Sequence, residues 1–221
     1  AAKDMLYLGS KVLPWCGRCG TGLSSHEVGQ GYKDIDDPSV YITFPLLDSD
    51  GALKGAELIA WTTTPWTLPS NMAVCVHPEY EYVIVQDEAG RRYVLLESKL
   101  NDVFGESNLK KIGSVKGEQL KGLSYEPLFD WEGGDVIRVG KNRHIVVADG
   151  FVTDDDGTGM VHMAPYGADD FRIAQDQDIH VVLAVGEEAR FLASVAGVEP
   201  GEFFRDANKT LISDLKQRQR L

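Results

Sequence analysis

The sequence predicts a mixed α/β chain in which strands predominate, arranged as a barrel or sandwich. Three observations carry this reading. Short runs of β-branched and aromatic residues recur at close spacing, turn-forming Gly, Asp and Pro clusters separate them, and helical patterns are few and brief. The 221 residues, 43% hydrophobic and 25% charged, have ordinary globular proportions and length enough for one elaborated domain. A formal net charge of −12 argues against tight nucleic-acid binding by this chain alone. Such affinity comes from Lys and Arg neutralising phosphates, although the same charge fits a plain solvated surface. No apolar stretch approaches the span of a bilayer, and residues 1–7 carry no secretory pattern, so a cytoplasmic protein without a membrane partner is expected. The first residue is not methionine and residues 216–221 read as the end of a helix, as expected of a piece of a longer chain.

Taken in order, residues 12–23 hold one C-x-x-C, Cys16 and Cys19, in a Gly-rich turn. A structural zinc site needs four ligands; His26 could supply a third, but Cys75 lies in an apolar strand and no fourth is apparent. A tight structural knuckle without metal is expected, and a redox pair lacks its βαβ context. Residues 39–44 read as a strand, 48–51 as a turn, and 56–62 and 72–76 as two further strands. After a corner at 77–79, residues 81–86 and 91–96 form a hairpin across the turn 87–90. Residues 98–104 suit a short helix capped by Ser98 and ended near Gly105. Residues 110–143 read as a strand-and-loop excursion, followed by a strand at 144–148.

The loop 149–159 contains Asp154, Asp155 and Asp156, which lack the spacing of a calcium loop and read as a solvated acidic turn. Residues 168–175 open a helix with Asp169 and Asp170 near its positive end, where carboxylates either stabilise the helix or hold a cationic group. A strand at 180–185 and a helix at 208–217 complete the chain.

Between the strands at 56–62 and 72–76 stands Trp61-Thr-Thr-Thr-Pro-Trp-Thr-Leu-Pro-Ser-Asn71. Pro65 and Pro69 each remove a backbone donor and push the preceding residue toward extended geometry, which predicts a rigid hydroxyl-rich loop. The hydroxyls of Thr62, Thr63, Thr64 and Thr67 can donate and accept, so they suit a ligand; they equally suit the end of a strand. The rings of Trp61 and Trp66 can wall a pocket or fill a core.

This motif, together with Gly157-Thr-Gly-Met-Val-His-Met-Ala-Pro165 and Asp169-Asp170, resembles the editing domain inserted in isoleucyl-tRNA synthetases, and the segment around Cys16 resembles the lead into that insertion. The likeness spans essentially the whole chain. It is specific, because the valyl and leucyl relatives carry Thr-Thr-Arg-Pro where this chain has Thr62-Thr-Thr-Pro65. The resemblance implies a β-barrel core decorated with helices, with a leading segment at 1–36, the barrel at 37–206 and a helix at 207–221 returning to the synthetase body. It implies hydrolysis of valine wrongly esterified to the 3′ end of isoleucine tRNA, with valyl-adenylate as a second substrate and no cofactor in this domain. The competing function is a non-catalytic module that binds aminoacyl-adenosine.

By the same resemblance, Thr62, Thr63 and Thr64 position the ester and the attacking water, and Asn71 belongs to the same site. Asp170 receives the substrate ammonium, with Asp169 as the alternative. Trp61, Trp66 and Thr67 would contact substrate. His162 limits pocket size, with general-base catalysis and a satisfied core histidine as its competing roles. Between His162 and the Asp pair the chain reads Met163-Ala-Pro-Tyr-Gly-Ala168, one residue shorter than the family pattern, which implies a tightened loop.

Overall fold

The computed structural model describes residues 10–47, 49–155 and 157–221. The readings made above for residues 1–7, Asp48 and Asp156 lie outside the described residues. A small hairpin, β1 (Trp15–Cys16) and β2 (Thr21–Gly22), leads into α1 (Ser25–Gly29). The β-rich body follows with β3 (Val40–Pro45), β4 (Ala56–Thr62), β5 (Ala73–Val76), β6 (Glu81–Gln86) and β7 (Arg92–Leu96). After α2 (Leu100–Phe104), β8 (Lys110–Lys116), α3 (Gly117–Leu120) and β9 (Asp135–Arg138), the chain returns through β10 (Ile145–Ala148) and β11 (Met160–Met163). It ends with α4 (Ala168–Asp176), β12 (Val181–Leu183) and α5 (Asn208–Gln217).

Eight strands form one sheet in the order β10-β5-β11-β4-β7-β6-β8, with β3 also paired to β4, and the sheet curls into a half-barrel. Its central strand is β4, which carries the start of the threonine motif and pairs with β3 antiparallel and with β7 and β11 in parallel. Side chains alternate across the pleat. Val74 and Val76 of β5 and Met160 of β11 face the main core, whereas Ala73, Cys75 and Met163 face a second cluster under α4 with Ile173 and Ala174. A third cluster tucks α2 beneath Ile59, Val83 and Leu95. Leu211 and Leu215 of α5 enter the main core, and the Arg220 carbonyl accepts from Thr43 N at 2.9 Å, so the last helix is part of the packed body. Among the described residues no helix is long and apolar enough to cross a membrane.

Three local expectations change. The threonine motif is less of a loop than its prolines suggest, because Trp61 and Thr62 finish β4 and Pro65–Ser70 winds into a 3₁₀ turn. Pro65 is compatible with a first helical position, where its missing N–H is not needed. Ser98 does not cap α2; it lies within the 3₁₀ turn Glu97–Lys99, and the residue before the helix is Lys99, which makes no side-chain cap. His144 stands outside β10 with φ of 51°, because its N–H donates to Met72 O and its carbonyl accepts from Tyr125 N, which bends it out of the ladder. The C-x-x-C knuckle is the turn of the β1–β2 hairpin, with Cys19 N donating to Cys16 Sγ at 3.3 Å, while His26 turns to Gln30.

The glycines of the second motif have a packing reason. Gly159 has φ of +74°, and a Cβ there would stand 2.2 Å from Leu96 Cδ1, while its carbonyl accepts the buried Tyr82 hydroxyl at 2.7 Å. Gly159→Ala combines a disfavoured backbone with overpacking and is expected to lower stability by about 2–4 kcal/mol, read as a lower urea midpoint at unchanged slope.

Candidate active site

The two motifs meet at the junction of β4, β5 and β11. His162 on β11 lies opposite Val74 of β5, and Val161 opposite Trp61 of β4, so the sheet itself carries the histidine to the threonines. His162 is 7% exposed and is gripped at both ring nitrogens. Nδ1 lies 2.8 Å from Asn71 Nδ2, and Nε2 lies 3.1 Å from Thr67 Oγ1. Thr67 Oγ1 donates to Thr64 O at 2.8 Å and lies 3.3 Å from Thr64 Oγ1, which in turn is 3.1 Å from Thr62 Oγ1. The 3₁₀ turn makes this possible: it brings Thr67 back over Thr64, and Thr67 N donates to Thr64 O at 2.9 Å.

Proton positions follow from the partners. Asn71 Nδ2 also donates to Ala73 O at 3.1 Å, and Asn71 Oδ1 accepts from the Tyr125 hydroxyl at 2.7 Å. With an amide N–H aimed at it, His162 Nδ1 must be the bare nitrogen, and Nε2–H donates to Thr67. Burial pushes the imidazole down to about 3, well below its ordinary value, so it is neutral across the physiological range. With its lone pair already engaged, it is poorly suited to take a proton from water.

Asp170 lies at the first turn of α4, and its Oδ1 accepts from Ala164 N at 3.1 Å, two residues beyond His162. No cation pairs with it among the described residues, and burial drives its carboxyl up to about 6, with Asp169 adding to the rise and backbone donors opposing it. Asp169 is exposed and faces Arg172 at 3.5 Å. Arg172 also binds Asp149, anchoring α4 to the end of β10. Of the two aspartates, then, only Asp170 has a desolvated carboxyl without a counter-charge.

Thr62, Thr64, Thr67, Asn71 and His162 thus form one connected group. Asp170 joins it through the backbone N–H of Ala164, just beyond β11, without a direct hydrogen bond to the threonines. Thr63 is exposed and makes no such bond, and Trp61 is half-buried beside Gly157. Trp66 stands apart: its ring packs on Tyr166 at 4.8 Å and Phe204 at 4.6 Å, and its backbone N–H donates to Asn208 Oδ1, so it serves as the joint that seats α5. Residues the sequence did not single out are Tyr125, Ser70 and Tyr166. The Tyr166 hydroxyl, 2.9 Å from Ser70 Oγ and accepting from Val185 N, ties down the segment 163–168. A groove of about 550 Å³ over α5, lined by Lys209, Thr210, Ser213 and Asp214 among others, contains none of these residues. Among the described residues no three His, Cys, Asp or Glu side chains gather as a metal site.

No protein-family model matches the chain. It is 42% identical over 228 residues to the cytoplasmic isoleucine–tRNA ligase of Mus musculus, a match covering 99% of this chain and 17% of that protein. It is 42% identical over 215 residues to the isoleucine–tRNA ligase of Picrophilus torridus, with 97% and 20% covered. Against that of Thermus thermophilus it is 41% identical over 220 residues, with 98% and 20% covered. The chain therefore spans about a fifth of the length of these relatives. Among solved structures, a leucyl synthetase CP1 domain superposes with a TM-score of 0.64 at 15% identity, covering 83% of this chain and 97% of that one. The editing domain of the P. knowlesi cytosolic leucyl-tRNA synthetase gives 0.57 at 12% identity, with 82% and 94% covered. The sequence match runs through nearly the whole chain, so this chain corresponds to a segment, about a fifth in length, of the isoleucyl-tRNA synthetases, and it shares the fold of the leucyl synthetase CP1 and editing domains.

Proposed function

We propose that this segment hydrolyses valine wrongly esterified to the 3′ end of isoleucine tRNA, with valyl-adenylate as a second substrate. The observation that carries the reading is the juxtaposition of a fixed hydroxyl–imidazole group with a desolvated carboxylate that lacks a cation. The need is physical. One methylene is worth only about 1–3 kcal/mol to a binding pocket, isoleucine against valine in this very family being the standard instance. A second pocket that admits valine and collides with isoleucine turns steric exclusion into added accuracy.

In this reading Asp170 receives the substrate ammonium and fixes the ester carbonyl near the threonines. Hydroxyls of Thr62 and Thr64, together with exposed Thr63, orient the attacking water and donate to the oxyanion. Water adds to the carbonyl carbon, the ester C–O bond breaks, and the ribose oxygen leaves as a hydroxyl. No strong nucleophile is required, because aminoacyl esters are already labile and positioning supplies much of the rate. The site as proposed draws on no cofactor. At a net charge of −12, most of the grip on tRNA belongs to the rest of the synthetase.

The test is a calorimetric titration of this chain with two non-hydrolysable adenosine analogues carrying valine or isoleucine through a ribose amide. Binding of the valyl compound at least tenfold more tightly than the isoleucyl one is expected. Equal binding of both would reject the size sieve. The second reading, an aminoacyl-adenosine-binding module without hydrolysis, is favoured by the shortened segment between His162 and Asp169. It predicts the same selective binding with no release of valine from valyl-tRNA by a full-length synthetase carrying this segment.

A further inference from the structure

We infer that Tyr125 is a positioning residue of this site: by donating to Asn71 Oδ1 it fixes His162 as the Nε2–H tautomer, aimed at Thr67. Its role in the reaction rests on the function proposed above; the tautomer assignment does not. Tyr125 is 1% exposed, and its ring packs edge-on against Phe44 at 5.1 Å. Its hydroxyl lies 2.7 Å from Asn71 Oδ1, the head of a chain that runs through His162 and Thr67 to Thr64 O.

The direction of that chain is decided at its ends. A carbonyl oxygen can only accept, so Thr64 O takes the Thr67 proton and leaves Thr67 to accept from Nε2–H. At the other end Asn71 has two possible amide orientations. As found, Nδ2 faces Ala73 O at 3.1 Å and His162 Nδ1 at 2.8 Å, and Oδ1 faces the phenol. Turned over, Oδ1 would face the Ala73 carbonyl, and His162 would have to carry its proton on Nδ1. The phenol proton stabilises the first arrangement, because without it Asn71 Oδ1 is a buried acceptor with no donor. Tyr125 lies 54 residues from Asn71, and the backbone bonds Leu47 N to Ser124 O and Glu126 N to Pro45 O hold its segment against β3.

The test is ¹⁵N NMR of histidine-labelled chain at pH 7 with Tyr125→Phe, which removes the hydroxyl and keeps the ring, and Phe44→Leu, which loosens the ring and keeps the hydroxyl. The unsubstituted chain should show His162 protonated at Nε2 alone; protonation at Nδ1 there overturns the inference without any variant. Tyr125→Phe should show both tautomers, and Phe44→Leu only the first. In single-turnover release of valine from valyl-tRNA by a full-length synthetase carrying this segment, Tyr125→Phe should slow the step about tenfold or more with little change in the half-saturating enzyme concentration. An unchanged tautomer in Tyr125→Phe, or the same mixture in Phe44→Leu, overturns the role. A tautomer shift with no valine released by the unsubstituted full-length synthetase would uphold the positioning by Tyr125 and reject the hydrolytic reading.

Discussion

Asp170→Ala is expected to weaken binding of the valyl analogue on the order of 10²-fold or more, the usual consequence of removing one partner of a desolvated charge pair. The carboxylate has no cation among the described residues, accepts only from Ala164 N and its own backbone N–H, and sits where burial has already pushed it up to about 6. An ammonium would supply the missing charge. The same shift fixes the pH dependence. Only the ionised carboxylate attracts an ammonium, so affinity should be level from about pH 6 up to the ligand ammonium's own titration at about pH 8, and fall up to tenfold per pH unit below 6. Stability should run the other way. A carboxyl whose folded value lies above its unfolded one binds its proton more tightly when folded, so the chain loses stability as pH rises from about 4 to about 6. Asp170→Asn should recover it, by up to about 2–3 kcal/mol at pH 7 and by almost nothing at pH 4. A variant that binds the valyl analogue as tightly as the parent would remove Asp170 from the site.

That opposition explains why one aspartate could be preferred from sequence while its setting could not. Asp169 and Asp170 are adjacent letters, yet helix geometry turns the first toward Arg172 and water and the second toward Ala164. The longer strands were legible because each is a short run of apolar and β-branched residues bounded by turn residues, and β4 spans the 56–62 run read for it. The 3₁₀ turn at Pro65–Ser70 was not, because two prolines in six residues argue locally for an extended loop, and it is the return of Thr67 over Thr64 that makes the turn favourable. For Trp66 the sequence left a pocket wall and a core filler open, because an aromatic ring carries no mark of what it will meet, and its partner Phe204 lies 138 positions later. Tyr125 was invisible for the same reason: nothing near Ser124-Tyr125-Glu126 announces a partner at Asn71.

His162→Ala separates the three roles that remain open to a histidine here. As a wall, the ring excludes the extra methylene of isoleucine, and its loss should raise isoleucyl affinity until the two analogues bind within a factor of about two, erasing a discrimination of about 1–3 kcal/mol. As a base, its loss should slow valyl hydrolysis by about 10²–10⁴-fold and leave the discrimination in place, and the parent's rate should bend with pH near the histidine's titration. As a core residue alone, its loss should leave both untouched and cost only stability. Some stability loss is expected whichever role holds, about 2–4 kcal/mol, because Asn71 Nδ2 and Thr67 Oγ1 lose a buried partner and a cavity opens beneath β11. The function proposed above takes the ring as the wall. Burial holds the ring neutral down to about pH 3, its bare nitrogen faces an amide proton, and its other nitrogen gives its proton to Thr67, so neither face is free for catalysis. The hydrogen bonds that disqualify it as a base are the ones that make it rigid, and rigidity is what a gate set to one methylene requires. Retained selectivity against isoleucine in His162→Ala would therefore overturn the gate.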